Sequence, residues 1–267
     1  MSSARWQPTC FMRYTLLLHG LALLAVFAWP EQCRWALGAV LLNHLLLAAI
    51  GLWPRSHWLG TNWTQLPAAA AARGEIALTI DDGPDPLVTP KVLDLLDRHA
   101  AHATFFCVGE KAERYPDLCR EIVRRGHAVE NHSQHHFHHF SLMGPGAMAR
   151  EVQAAQTTFT TITGQRPLFF RAPAGLRNPF LDAVLWRQGL RLASWSVRGF
   201  DTRVGDAKRV GKRLERGLRA GAILLLHDGN SASTPSGQAV ILEVLPALLE
   251  SAASARLRWV TLRHALS

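Results

Sequence analysis

Ile76-Ala77-Leu78-Thr79-Ile80-Asp81-Asp82-Gly83-Pro84 is an alternating β-type run that breaks into two adjacent carboxylates and a Gly-Pro turn. Residues of strand length followed by turn chemistry put those carboxylates at the carboxyl end of a strand. The same grammar recurs along the chain, in ATFFCV at 103–108, HAVEN at 127–131, PLFFR at 167–171, RLASWSV at 191–197, AILLLH at 222–227 and RWVTL at 258–262. Between these runs lie amphipathic stretches such as PKVLDLLDRH at 90–99 and YPDLCREIVRR at 115–125, whose apolar residues recur at three and four. The pattern is an α/β repeat of about seven βα units. Closure into a barrel and an open doubly wound sheet both fit it.

In either architecture ligands gather at the carboxyl ends of the strands, so residues carrying chemistry should fall just after the apolar runs. They do: Asp81 and Asp82 follow the first run, His132 and His136 the third, Arg171 ends the fourth, Asp201 follows the fifth, and His227 with Asp228 closes the sixth.

Each position has a plain and a chemical reading. Asp81-Asp82-Gly83-Pro84 is turn material, yet on leaving the strand both carboxylates can address one site, one as metal ligand and one as base. His132 and His136, in a tract that also holds His135, His138 and His139, stand four apart, which in a helical turn puts two imidazoles on one face. Two His and one carboxylate with positions left for water describe a catalytic metal site. Arg171 is a cation delivered by an apolar strand, either a structural ion-pair partner or part of the site, and its Pro and Gly turn can present a backbone N–H. His227 titrates near neutrality and suits a general acid.

The 267 residues suffice for one core plus an appendage. The appendage is N-terminal: TLLLHGLALLAVFAW at 15–29 and WALGAVLLNHLLLAAIGLW at 35–53 read as two transmembrane helices of a hairpin, with Trp29, Trp35 and Trp53 at interfacial positions. A secretory signal at the first stretch is the competing reading. Arg5, Arg13, Arg55 and Arg73 flank the outer ends while Arg34 lies in the turn, which by the positive-inside rule orients both ends to the cytoplasm. The expected organisation is a membrane anchor at 1–64, a linker at 65–74 and the α/β domain at 75–267. The net charge of +9 is dispersed; KRVGKRLERGLR at 208–219 reads as a solvated helix face, so no nucleic-acid partner is expected and membrane lipid is. Cysteines 10, 33, 107 and 119 form no Cys-x-x-Cys pair.

Taken together, Thr79 to Pro84, the tract from His132 to His136, Arg171-Ala172-Pro173-Ala174-Gly175, Asp201 and Leu224-Leu225-Leu226-His227-Asp228 resemble, in order, five motifs of the polysaccharide deacetylase family, the NodB-homology group or carbohydrate esterase family 4. The resemblance covers about residues 75–262. It implies a distorted, TIM-like (β/α) barrel and hydrolysis of an N-acetyl group or, in some members, an O-acetyl group. By that match Asp81 is the general base, and Asp82, His132 and His136 hold a divalent metal, usually zinc. Arg171 pins Asp81, the Ala174 N–H joins the metal at the oxyanion, His227 protonates the leaving amine, Asp201 orients His227, and Leu225 walls a pocket for the methyl group. Two departures stand out. An aromatic residue often occupies the place of Ala174, and the fourth motif usually runs Asp-x-x-Asp-Trp where Arg198, Asp201 and Thr202 stand here. The resemblance implies an enzyme acting on an N-acetylated amino sugar; a cytoplasmic active site beside the inner membrane would favour a lipid-linked saccharide. An O-acetyl esterase of the same fold and a non-catalytic sugar-binding module are the rivals.

Overall fold

The structure, a computed structural model, describes residues 5–267; residues 1–4 of the expected anchor lie outside the described residues. Two long helices come first, α1 (Cys10–Ala28) and α2 (Cys33–Gly51), then a short α3 (Ala68–Ala72). The α/β repeat follows as β1 (Glu75–Asp81), α4 (Thr89–Arg98), β2 (Ala103–Cys107), α5 (Gly109–Arg114), α6 (Pro116–Arg124) and β3 (Ala128–Asn131). It continues through α7 (Pro145–Thr163), β4 (Phe169–Phe170), α8 (Leu181–Arg187), β5 (Arg191–Leu192) and β6 (Val197–Arg198). It ends with α9 (Ala207–Glu215), β7 (Ile223–His227), α10 (Val240–Ser254) and β8 (Arg258–Trp259).

All the paired strands are parallel, in the order β5-β4-β3-β2-β1-β7-β6, with β8 on the first residues of β1. The sheet curls into a half-barrel, the distorted (β/α) architecture expected. Every expected run contributes a strand, but 191–197 splits into β5 and β6. Its middle, Ala193 to Ser196, leaves the ladder and carries the chain from one edge of the sheet to the other.

Strand alternation divides the core. Leu78, Ile80, Phe105, Val129, Leu224 and Leu226 face outward and pack under helices α4, α9 and α10. Ala77, Phe106, Phe169, Ile223 and Leu225 face inward and fill the barrel. Because side chains alternate with a period of two, the inward register runs on to Asp81, Arg171 and His227 at the strand ends. In the β1–β7 pairing Asp81 lies directly beside His227.

The seam between the two sheet edges is covered by chain that precedes the repeat. Trp63 donates to the Leu192 carbonyl (2.9 Å), Ser194 N–H donates to Trp63 O (2.8 Å), and Leu66 N–H donates to Gly221 O (2.8 Å). The expected linker, 65–74, is thus folded onto the barrel, with Leu66 and Ala70 buried in the inner core.

The hairpin helices begin and end earlier than 15–29 and 35–53, at Cys10–Ala28 and Cys33–Gly51, because Thr9 caps α1 by accepting from Met12 N–H. Each is long and apolar enough to cross a membrane and almost wholly exposed. At 1.5 Å per residue, 19 residues give about 28 Å, the thickness of a bilayer core. Both outer ends meet the domain: Trp6 Nε1 donates to Asp182 Oδ2 (2.8 Å), and Arg177 N–H donates to Gly51 O (3.2 Å).

Candidate active site

Asp81 and Asp82 leave β1 on opposite parities, and the backbone brings them back together. Asp82 has φ 70°, a left-handed conformation that Asp tolerates, so its carboxylate swings to the cleft that Asp81 already faces. The turn is buttressed from β7: Asp228 accepts from Thr89 Oγ1 (2.5 Å) and sits so close to Gly83 that a Cβ there would lie 2.4 Å from its carboxylate. Lys111 Nζ, from α5, donates to Asp82 O (2.7 Å).

The histidine pair converges by a different route from the helical turn expected. Residues 132–136 form a loop in which Ser133 (φ 66°) and His136 (φ 52°) are left-handed, and the rings meet with centroids 4.8 Å apart. The reason is local competition. Asn131 Oδ1 accepts from Ser133 N–H (2.8 Å) and Ser133 Oγ accepts from His136 N–H (3.0 Å), satisfying donors that a helix would otherwise use. The first N–H groups of α5 fix the loop from below, Gly109 to Ser133 O and Glu110 to Gln134 O.

Asp82 Oδ1 lies 3.2 Å from Nε2 of both His132 and His136. The ligand atoms of the three residues lie within 4.8 Å of one another, the one such group among the described residues. His132 Nδ1 is 2.8 Å from the Arg171 carbonyl; a carbonyl only accepts, so Nδ1 carries a proton and Nε2 is the ring atom turned to Asp82. Burial opposes a charge on this ring, but the carboxylates of Asp81 and Asp82 outweigh it and raise its pKa. Burial and the neighbouring His132 push the His136 pKa down to about 4, leaving it a neutral imidazole at pH 7. Two imidazole nitrogens converging on one carboxylate in a largely buried cleft fit a divalent metal.

On one side of this cluster Asp81 Oδ1 accepts from Arg171 Nη1 (2.7 Å). Arg171 is 1% exposed and fully engaged, with Nη1 also on Thr79 Oγ1, Nε on Ala193 O, Nη2 on Ser194 O, and the Phe106 face 4.2 Å from Cζ. On the other side His227 Nδ1 meets Asp201 Oδ1 (3.0 Å), and Asp201 Oδ2 accepts from the His227 backbone N–H (2.7 Å). Burial opposes a charge on His227, but the hydrogen bond and charge of Asp201 outweigh it and raise the imidazole pKa. Ala174 (φ 54°) heads a left-handed turn on the cleft wall, and Leu225 lines the floor.

All nine residues singled out from the sequence gather here, most of them lining one cleft of 410 Å³, with Arg171 and Asp201 just behind its wall. Sequence reasoning missed Trp195, His138, Asn230 and Lys111. Trp195 supplies a cleft aromatic despite the absence of one at Ala174, and its inward parity with Ala193 was the available signal. Asn230 Nδ2 donates to Asp82 Oδ2 (3.1 Å) from the loop after β7. Lys111 comes from a helix, where strand-end logic does not look.

The sequence profile described as polysaccharide deacetylase matches residues 68–193. A peptidoglycan-N-acetylglucosamine deacetylase of Bacillus cereus is 31% identical over 68% of this chain and 66% of its own length. A chitooligosaccharide deacetylase of a Bradyrhizobium species is 37% identical over 58% of this chain and 70% of its own. Among solved structures, a peptidoglycan N-acetylglucosamine deacetylase superposes with TM-score 0.66 at 29% identity, covering 76% of this chain and 92% of that one. A family 4 carbohydrate esterase from Streptomyces lividans, in complex with acetate, superposes with TM-score 0.63 at 30% identity over 70% of this chain and 91% of that one. Fold, ordered motifs and relatives agree: this chain belongs to the polysaccharide deacetylase family.

Proposed function

We propose that this protein is a divalent-metal-dependent N-deacetylase that hydrolyses the acetyl amide of an amino sugar, presented in a glycan or a lipid-linked saccharide. The observation that carries the reading is one cleft in which an Asp-His-His cluster stands between an Arg-paired carboxylate and an Asp-backed imidazole. The N-acetylglucosamine deacetylases among its relatives support an N-acetylated amino sugar as substrate.

Asp81 acts as general base, taking a proton from the attacking water, while Arg171 holds its carboxylate in one orientation. Water oxygen bonds to the acyl carbon, the carbon–nitrogen bond breaks, and His227 gives its proton to the departing amine. Asp201 accepts from Nδ1, leaving Nε2 to the cleft and favouring the protonated ring. The Ala174 N–H donates to the acyl oxygen as charge develops there. Leu225 gives the methyl group an apolar wall. Asp82, His132 and His136 would hold the metal, which we assign as zinc and which, when bound, supplies Lewis-acid polarisation of the acyl carbonyl.

The reading includes a membrane anchor within residues 1–64, set in the cytoplasmic membrane with the domain on its cytoplasmic face. Four arginines outside the hairpin against Arg34 in its turn support that orientation. A reporter fused to the C-terminus and active only outside the membrane would overturn it. The chemistry is tested by metal content and acetate release of the purified protein, on N-acetylglucosamine oligomers and lipid-linked N-acetylhexosamines. We expect about one zinc per chain in wild type and in Asp81→Asn, none in His132→Ala, and no turnover in either variant. A wild type that neither holds nor takes up metal sinks the reading; matched amide and ester sugars separate N- from O-deacetylation.

A further inference from the structure

One wall of the cleft holds cations that the proposed chemistry does not use. Arg198 and Arg203 both line the cleft. The Arg198 Nε is buried without a hydrogen-bond partner. The guanidinium lies over Trp195 (5.5 Å to the ring centroid) and Phe200 (5.2 Å), and Arg213, from α9, covers Phe200 as well (4.8 Å). Among the described residues no carboxylate lies in salt-bridge range of Arg198, Arg203 or Arg213.

That arrangement is costly for a protein with nothing to bind there. Like charges bunched on one wall repel, and aromatic faces offer attraction but no hydrogen-bond acceptor for a buried guanidinium N–H. By contrast Arg171, just behind the wall of the same cleft, has each of its nitrogens hydrogen-bonded. Stacking on Trp195 and Phe200 instead holds the Arg198 fork in place with donors free, as a preorganised anion site requires.

We propose that Arg198 and Arg203, with Arg213 behind them across Phe200, form an anion subsite beside the deacetylation centre, and that the saccharide substrate carries a phosphate or carboxylate that binds there. The proposal rests on the deacetylase reading for its substrate, and on the arginine cluster alone for its ligand. The anchor approaches this wall: Arg55, four residues after α2 ends, donates to Ser196 O (3.1 Å), two residues before Arg198. The subsite thus lies beside the segment that leads from the anchor, which favours the phosphate of a lipid-linked sugar over a carboxylate along a polymer.

The first test is calorimetric titration of inorganic phosphate into the full-length, zinc-loaded protein beside Arg198→Gln, Arg203→Gln and, as control, Arg216→Gln. We expect the two cleft variants to bind phosphate at least about tenfold more weakly than wild type and the control to match it. Phosphate affinity unchanged in both cleft variants, as binding at the metal alone would give, overturns the subsite. The second test compares KM for a neutral N-acetylhexosamine oligomer, a lipid-linked N-acetylhexosamine phosphate and an N-acetylhexosamine bearing a carboxylate. Arg198→Gln should raise KM about tenfold for the anion that fits, with kcat within about twofold and the neutral substrate unaffected. Equal KM for all three substrates in wild type overturns the proposal. Absence of turnover on every sugar would tell against the deacetylase reading instead, and the phosphate titration would still decide the subsite.

Discussion

Two buried ion pairs, Asp81 with Arg171 and His227 with Asp201, flank the candidate metal ligands and set the pH behaviour of the site. The proposed reaction needs the proton on His227, whose pKa Asp201 raises; activity therefore falls as pH climbs through that raised value. Asp201→Asn removes the charge responsible, so the alkaline limb of the kcat/KM profile should move to lower pH, and an unmoved limb would exclude His227 as the acid. Arg171 carries a different load. Replacing it by Met leaves Asp81 buried without its cation and frees the Ala193 and Ser194 carbonyls, so we expect a loss of about 3 kcal/mol or more in chemical denaturation. Arg171→Lys, which keeps the charge but not the four-bond fork, should recover only part of that loss.

At the scale of elements, the site depends on short loops held in left-handed conformations rather than on the strands themselves. Asp82, Ser133, His136 and Ala174 all have positive φ. Gly175 (φ 74°) closes the Ala174 turn under Trp195 and Pro54, and a Cβ there would lie 2.6 Å from the Trp195 ring. Gly175→Ala should therefore displace the Ala174 N–H while the barrel stays folded. We expect kcat to fall about 10²-fold, the cost typical of losing an oxyanion donor, with metal content unchanged. A melting temperature that drops in step with activity would mean the glycine serves folding alone.

For the whole molecule, the seam makes the N-terminal segment part of the barrel. Leu59 and Leu66 are buried, and Trp63 bridges to the strand edge at Leu192. Burial of two leucines is worth about 1.5–3 kcal/mol each, a large share of the 5–15 kcal/mol by which a domain is stable. A chain starting at residue 53 should fold and retain activity on soluble substrates. One starting at residue 68, where the family match begins, should melt markedly lower; equal melting temperatures would show the seam to be ornamental.

The order of strands and helices, the strand-end residues and the apolar hairpin were legible in the chain, because period-two and period-3.6 patterns are local and turn chemistry punctuates them. Parity alone places Asp81, Arg171 and His227 inside the barrel. Local patterns do not carry closure. The strand and helix patterns fit barrel and open sheet equally, and it was the family resemblance that implied a distorted barrel; the tertiary structure shows a curled half-barrel whose seam is covered by residues ahead of the repeat. The histidine loop was legible as a pair four apart but not as a non-helical loop, since its shape depends on Asn131, Ser133 and the first turn of α5. The arginine wall depends on how two successive elements fold back on each other. Arg198 and Arg213 stand in separate elements, β6 and α9, and it is the packing of α9 back against β6 that brings both against Phe200.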